Sequence, residues 1–189
     1  FPEWLALVAE SDAETGLDWP VRGGHRGRGF GHTRTGELAH RRHQGIDIGA
    51  PEGTPIRAAR GGLVVYSDNF ITGYGNMVIV LHADGFSTFY AHCRRTIVAA
   101  GQHVARGEIL GEVGETGFAG APHLHFELRH DGRARDPMRS VIRDTMHVDD
   151  GEASAVTDAS AHDVDADDGA EPALDDSTDA GESVADGER

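Results

Sequence analysis

Four polar residues in two short motifs have the types and spacing of metal ligands. His43 and Asp47 lie four residues apart in HQGID, so an extended strand or a helix would present both on one face. His123 and His125 lie two apart in the strand-like run HLHFE, so both should project to one face, opposite the apolar side chains. A catalytic zinc ion typically keeps three imidazole, carboxylate or thiolate ligands and one open position. Neither motif is specific alone, but two imidazoles and one carboxylate would satisfy that count.

The remaining histidines and the absence of lysine limit the other functions open to the chain. Eight of the 12 histidines sit in polar contexts and are expected to be solvated surface groups: His25, His32, His40, His82, His103, His130, His147 and His162. All 17 basic residues are arginines. Schiff-base chemistry and the attachment of biotin or lipoyl groups need a lysine amine, so these functions are excluded.

The elements that must position these side chains are predicted to be β-strands. From about Trp19 to Arg143, short runs rich in Val, Ile, Leu, Phe and Tyr alternate with glycine-containing turns. The triplets ADG and HDG are typical of hairpin turns that need positive φ. The 26 glycines also favour strands and turns over helices, because glycine lowers helix stability. The sequence therefore predicts a mainly β fold of antiparallel sheets.

The sequence around the two motifs resembles the lysostaphin-type peptidase family M23. The resemblance covers HQGIDIGAPEGTPI, then GYGNMVIVLHADGFSTFYAHC, then GETGFAGAPHLHFELRHDGRARDP, in that order. It implies the lysostaphin-type peptidase fold, which is like a duplicated hybrid motif. It also implies a zinc-dependent endopeptidase that hydrolyses peptide cross-links of bacterial peptidoglycan with a zinc-activated water.

The resemblance assigns a role to five residues. The family's metal ligands fall on His43, Asp47 and His125, which would bind Zn2+. His92 of YAHC and His123 match two further histidines, which the family uses around the zinc-bound water and the scissile carbonyl. These two are expected to orient or deprotonate the water and to stabilise the oxyanion.

Two departures from the family pattern are modest. The family commonly has Leu after the histidine of YxH, whereas this chain has its single cysteine, Cys93, which should face away from His92 as a small buried hydrophobe. His32 and Thr33 stand where the usual arginine would begin to appear before the first motif. That difference would affect the substrate cleft rather than the metal ligands.

Composition divides the chain into three parts. Phe1, Trp4, Leu5 and Val8 have helical spacing, so residues 1–18 are predicted to hold a short N-terminal helix and a linker. The metallopeptidase domain is predicted over 19–146. The residues after His147 include 15 acidic residues and one arginine, a net −14 that leaves −1 for the rest of the chain. With few large apolar residues, 147–189 is predicted to be a disordered acidic tail.

The expected partner is the peptide part of peptidoglycan, with no nucleic acid, no membrane span in this chain, and a monomeric state. The family implies an extracytoplasmic location: periplasmic, cell-envelope or secreted.

The stretch VAAGQHVARGEILGEVG also resembles biotinyl and lipoyl carriers, which the absence of lysine excludes. Sugar phosphotransferase IIA domains use paired histidines but do not call for HxxxD with HxH. The alternative function is a non-catalytic M23-like module that binds the cell wall or activates another wall hydrolase.

Overall fold

The computed structural model describes residues 16–32, 42–83 and 85–141. The predicted N-terminal helix and the predicted acidic tail lie outside these residues. The described elements, with one short 3-10 helix at the end, are β1 (His25–Arg26), β2 (Ile46–Gly49), β3 (Pro55–Arg57), β4 (Gly62–Asp68), β5 (Asn76–Leu81), β6 (Phe86–Thr96), β7 (His103–Val104), β8 (Ile109–Val113), β9 (His123–His130), β10 (Arg133–Arg135) and the helix Pro137–Arg139. Within the described residues, no helix is long and apolar enough to cross a membrane.

The strands form one antiparallel sheet, as the sequence predicts. Its main path runs β1-β2-β9-β6-β5-β4-β7, while β10 pairs with β9, and β8 pairs with both β3 and β6. In the register of β2 with β9, Asp47 lies opposite His125. In the register of β9 with β6, His125 lies opposite Ala91. These pairings bring the first motif, the HLH motif and the residues around His92 together in the centre of the sheet.

Alternation along β9 separates the polar side chains from the core. Leu124 and Phe126 are 0% exposed and belong to the hydrophobic cluster, together with Ile46 and Ile48 of the neighbouring β2. Tyr90 of β6 contacts Phe126, with ring centroids 5.3 Å apart. Each such fully buried side chain contributes roughly 1.5–3 kcal/mol to folding. The core therefore covers one face of β9 and leaves the histidines on the other.

The hairpin between β9 and β10 has the predicted HDG turn. Asp131 has φ 50° and Gly132 has φ 73°, which is the pair of positive φ angles that a two-residue type I′ turn requires. Gly85 of the ADG triplet also has positive φ, 80°. Both turn predictions rest on residue types that tolerate the left-handed region.

His82 was expected at the surface, and that expectation is wrong, because it is 2% exposed. Its Nδ1–H donates to the Gly61 carbonyl at 2.8 Å, and its Nε2 lies 3.0 Å from the Thr88 hydroxyl. That hydroxyl lies 2.9 Å from the Tyr90 hydroxyl, which accepts a 2.8 Å bond from the Ala59 N–H. A row of buried hydrogen bonds therefore gives each of these polar groups a partner. The polar residues next to His82 in the sequence did not indicate this burial.

Candidate active site and metal centre

Three side chains converge where β2 and β9 pair. Asp47 lies on β2, His125 lies opposite it on β9, and His43 precedes β2 in a segment held by main-chain bonds with His32 and Gly31. His43 Nε2 and His125 Nδ1 each lie 3.0 Å from Asp47 Oδ1, and these two nitrogens lie 3.0 Å apart. The sequence offered a strand or a helix for HQGID, but His43 lies outside both kinds of element.

The geometry of this triangle fits a zinc ion. Ligand atoms about 2.0–2.1 Å from a tetrahedral zinc ion lie roughly 3.3 Å from one another. The three observed atoms are 3.0 Å apart, and their residues are 4%, 8% and 1% exposed. They form the group of side chains with metal-binding geometry among the described residues: His43, Asp47 and His125. Two imidazoles and one carboxylate leave a fourth position of a tetrahedral zinc ion open.

The outer nitrogen of each of these two imidazoles is held by an acceptor. His43 Nδ1–H donates to the Gly29 carbonyl at 2.9 Å. His125 Nε2–H donates to Glu127 Oε1 at 3.0 Å. An oxygen acceptor on one side of a neutral imidazole places the lone pair on the other nitrogen. When both rings are neutral, this arrangement leaves His43 Nε2 and His125 Nδ1 as the nitrogens that could bind a metal.

His92 and His123 lie beside the triangle and are tethered in the same way. His92 Nδ1–H donates to the Thr116 carbonyl at 2.8 Å, and His123 Nδ1–H donates to the Ala121 carbonyl at 2.8 Å. The His92 ring lies 4.9 Å from the His123 ring and 5.8 Å from the His125 ring, centroid to centroid. Burial lowers the pKa of His92 to about 3, with a contribution from His125 and His123, so its ring is neutral at neutral pH.

A β-bulge turns His92 toward the site. In the β5–β6 ladder Asn76 pairs with Cys93 and Val78 pairs with Tyr90, so β6 contains one extra residue. His92 occupies this extra position with φ 61°, which is rare for a residue other than glycine. Tyr90 and Cys93 both lie in the core, and Cys93 is 1% exposed. Regular alternation would place His92 on the core face with Tyr90, and the bulge reverses that orientation.

The buried carboxylates and His125 stabilise one another's charged forms. Burial raises the pKa of the Asp47 carboxyl, but hydrogen bonds from His125 and His43 outweigh it and hold this pKa well below its usual range. Burial lowers the pKa of His125, but its bonds to Asp47 and Glu127 outweigh that effect and raise it. The buried carboxylates thus remain ionised and require a positive partner, which is either the imidazolium or a metal cation.

Three further residues support the site, and sequence reasoning did not single them out. Arg28 Nε lies 3.2 Å from Asp47 Oδ2, so the outer carboxylate oxygen faces the guanidinium while Oδ1 faces the histidines. Glu127 shares the strand face of His125, two residues away, and this alternation is the signal that could have found it. Tyr74, which donates its hydroxyl to Glu127 at 2.9 Å, has no comparable local signal.

Solved structures of similar proteins share this fold. The chain is 32% identical to the catalytic domain of lysostaphin from Staphylococcus simulans, covering 62% of this chain and 91% of that one, with a TM-score of 0.57. It is 29% identical to a zinc-containing peptidase from Vibrio cholerae, covering 66% of this chain and 40% of that one, with a TM-score of 0.60. The fold is therefore of the lysostaphin type.

Sequence relatives differ in their described roles. The chain is 42% identical to cell division protein DipM of Caulobacter vibrioides over 65% of its length and 19% of DipM. It is 38% identical to the lipoprotein NlpD/LppB homolog of Pseudomonas aeruginosa, over 72% of its length and 43% of that protein. It is 39% identical to murein hydrolase activator EnvC of Escherichia coli, over 63% of its length and 27% of EnvC. The chain thus spans less than half of these relatives.

The sequence pattern of Peptidase family M23 matches residues 41–137, just over half of the chain. This region contains His43, Asp47 and His125 together with His92 and His123. With the shared fold and the relatives, this match means that the chain belongs to peptidase family M23.

Proposed function

We propose that the chain is a zinc-dependent endopeptidase that hydrolyses peptide cross-links of bacterial peptidoglycan. One observation carries the proposal: four clustered histidines each donate one ring N–H to a fixed oxygen, and the other ring nitrogens of His43, His125 and His123 lie 3.0, 3.0 and 3.8 Å from Asp47 Oδ1. The four acceptors are the carbonyls of Gly29, Thr116 and Ala121 and the carboxylate of Glu127. A purely structural histidine cluster has no need to gather three ring nitrogens around one carboxylate oxygen.

The five residues divide into ligands and proton-handling groups. His43, Asp47 and His125 would hold the zinc ion, through the three atoms that lie 3.0 Å from one another. When bound, zinc lowers the pKa of a coordinated water to about 7 and polarises a substrate carbonyl. His92 and His123 would handle the proton of the attacking water and stabilise the oxyanion, each through Nε2, because Nδ1 is already engaged.

The second candidate function is a non-catalytic module that activates another wall hydrolase. The similarity to EnvC, which is described as a murein hydrolase activator, favours it. The retention of three ligand positions and two further histidines in one buried cluster favours the peptidase. The lipoprotein relative supports an extracytoplasmic location, which we include in the proposal together with a monomeric state.

Cell-wall digestion with metal analysis tests the peptidase. Purified walls with several types of cross-link are incubated with the protein and with His125→Ala, and new amine termini are identified by mass spectrometry. We expect one zinc ion per chain and new amine termini for the wild type, and neither for the variant. A wild-type protein that takes up no stoichiometric zinc, or binds zinc and releases no new amine, would contradict the peptidase and favour the activator.

A further inference from the structure

Glu127 is a fully buried carboxylate that takes no part in the proposed ligand set. It is 0% exposed on β9, two residues after His125. Its Oε1 accepts from His125 Nε2 at 3.0 Å and from the Tyr74 hydroxyl at 2.9 Å, and its Oε2 accepts from Arg129 Nε at 2.6 Å. A buried carboxylate is tolerated only when such partners replace its water. Both oxygens are therefore fixed in direction.

The partners of Glu127 also hold one another. Arg129 Nη2 donates to the Tyr74 hydroxyl at 3.2 Å, so Tyr74, Glu127 and Arg129 close a ring of hydrogen bonds. The Arg129 guanidinium lies over the Phe89 ring, 4.5 Å from its centroid. The Phe89 ring holds Arg129, and Arg129 holds Tyr74. Glu127 Oε1 is therefore fixed in the orientation in which it accepts from His125.

Tyr74 connects the ring of bonds to the other side of the site. Its main-chain carbonyl accepts from the His92 N–H at 2.9 Å, at the bulged position of β6. Its side chain lies near His125, with ring centroids 6.0 Å apart. One residue thus contacts the bulge that presents His92 and, through Glu127, the imidazole of His125.

We propose that Glu127 is a positioning residue for the metal site, oriented by Tyr74: it holds His125 with Nε2 protonated and Nδ1 directed at the metal. The inference rests on the proposed zinc site. A carboxylate on the outer nitrogen of a ligand imidazole fixes its tautomer and makes the inner nitrogen a stronger donor. A glutamine could still accept the hydrogen bond but would lack the negative charge.

Zinc affinity of the full-length chain tests the inference. Competition with a chromogenic chelator at constant pH gives the zinc Kd of the wild type, Glu127→Gln, Tyr74→Phe and the control Glu112→Gln. Glu112 is a matched control, because it pairs with Arg95 on the same sheet and contacts none of the site histidines. We expect a loss of about 10–100-fold for Glu127→Gln, as for other outer partners of metal ligands. Tyr74→Phe should lose roughly three- to tenfold, as for one hydrogen bond, and the control should change by less than about twofold.

A spectroscopic measurement separates positioning from general loss of structure. In the zinc-bound protein, the proton on His125 Nε2 should give a downfield NMR signal that moves upfield in Glu127→Gln and stays in place in Glu112→Gln. If the wild type binds zinc, and Glu127→Gln has the same zinc affinity and an unmoved signal, this inference is overturned but the proposed function is not. A wild type that binds no zinc would overturn the proposed function as well. If Glu127→Gln does not fold, Tyr74→Phe decides: weaker zinc binding supports the inference, and unchanged binding overturns it.

Discussion

His92 and His123 face each other across a gap in the sheet, with ring centroids 4.9 Å apart. Strand β6 pairs with β9 as far as Ala91 and then pairs with β8 from Cys93 onward. His92 is the residue at this change of partner, and His123 begins β9 with an isolated bridge to Gly114. The two imidazoles therefore meet where the sheet opens, beside the three proposed ligands.

The first prediction separates ligands from proton-handling residues. His92→Ala and His123→Ala should keep zinc and lower turnover by about a hundredfold or more, because each removes a group used in proton transfer or oxyanion stabilisation. His125→Ala should lose both zinc and activity, because it removes a ligand. Zinc content and cleavage rate are measured on the same preparations. Complete zinc loss in His123→Ala, or full activity, would show that the assignment of roles is wrong.

A second prediction concerns Gly75, which lies in the loop before β5. Its φ is 63°, and a Cβ at this position would clash with Thr116, whose carbonyl holds His92. Gly75→Ala should therefore lower stability by more than about 1 kcal/mol and also reduce turnover. Gly107→Ala is the control, because Gly107 has φ 78° with nothing near the added Cβ. Thermal unfolding and wall cleavage are compared; equal losses in the two variants would contradict the clash.

Local patterns predicted the parts of the site that depend on residues close in sequence. Alternation in HLHFE correctly placed His123 and His125 opposite Leu124, and Asp-Gly correctly marked the last hairpin turn. The burial of His82 was missed, because its partners come from separate segments of the chain.

The convergence of the proposed ligands depends on strand register, which sequence spacing does not specify. Asp47 reaches His125 because β2 pairs with β9, although 78 positions separate them. His92 reaches the site only through the bulge in β6, whereas regular alternation would direct it into the core. The resemblance to a known family supplied these residues, and the physical reason for their meeting appears only in the folded chain.

The third prediction concerns the acidic segment after His147, which lies outside the described residues. Its composition offers few apolar side chains to bury, so truncation after His147 should leave zinc binding and wall cleavage nearly unchanged. Melting temperature and activity of the truncated and full chains are compared at low and high salt. A large loss in either quantity would show that the segment packs on the domain or takes part in catalysis.

A fourth prediction concerns the row of buried hydrogen bonds through His82, Thr88 and Tyr90, away from the proposed metal ligands. Thr88→Val keeps the shape of the side chain but removes the hydroxyl that contacts both His82 and Tyr90. We expect a loss of about 1–3 kcal/mol in the free energy of unfolding, because two buried polar groups lose a partner. Thr96→Val on the same strand is the control, and it should change the free energy of unfolding by less than about 0.5 kcal/mol. Urea denaturation measures the free energy of unfolding of both variants. Similar losses in Thr88→Val and Thr96→Val would contradict a stabilising role for the Thr88 hydroxyl.

The last prediction concerns Cys93, which lies next to His92 but faces the core. Burial raises the pKa of its thiol to about 12, and its Sγ–H donates to the Tyr90 carbonyl at 3.4 Å. In an unfolded chain the thiol has a pKa near 8.5, so about a quarter is thiolate at pH 8, against roughly 10⁻⁴ for a pKa of 12. A thiol reagent at pH 8 should therefore react slowly with the folded protein and rapidly in guanidinium chloride, and the reaction of the folded protein should speed up as the pH rises. Cys93→Ser should keep zinc and most of the activity, because the side chain points away from the site. Rapid labelling of the folded protein would contradict the burial of the thiol, and loss of zinc in Cys93→Ser would contradict its orientation away from the site.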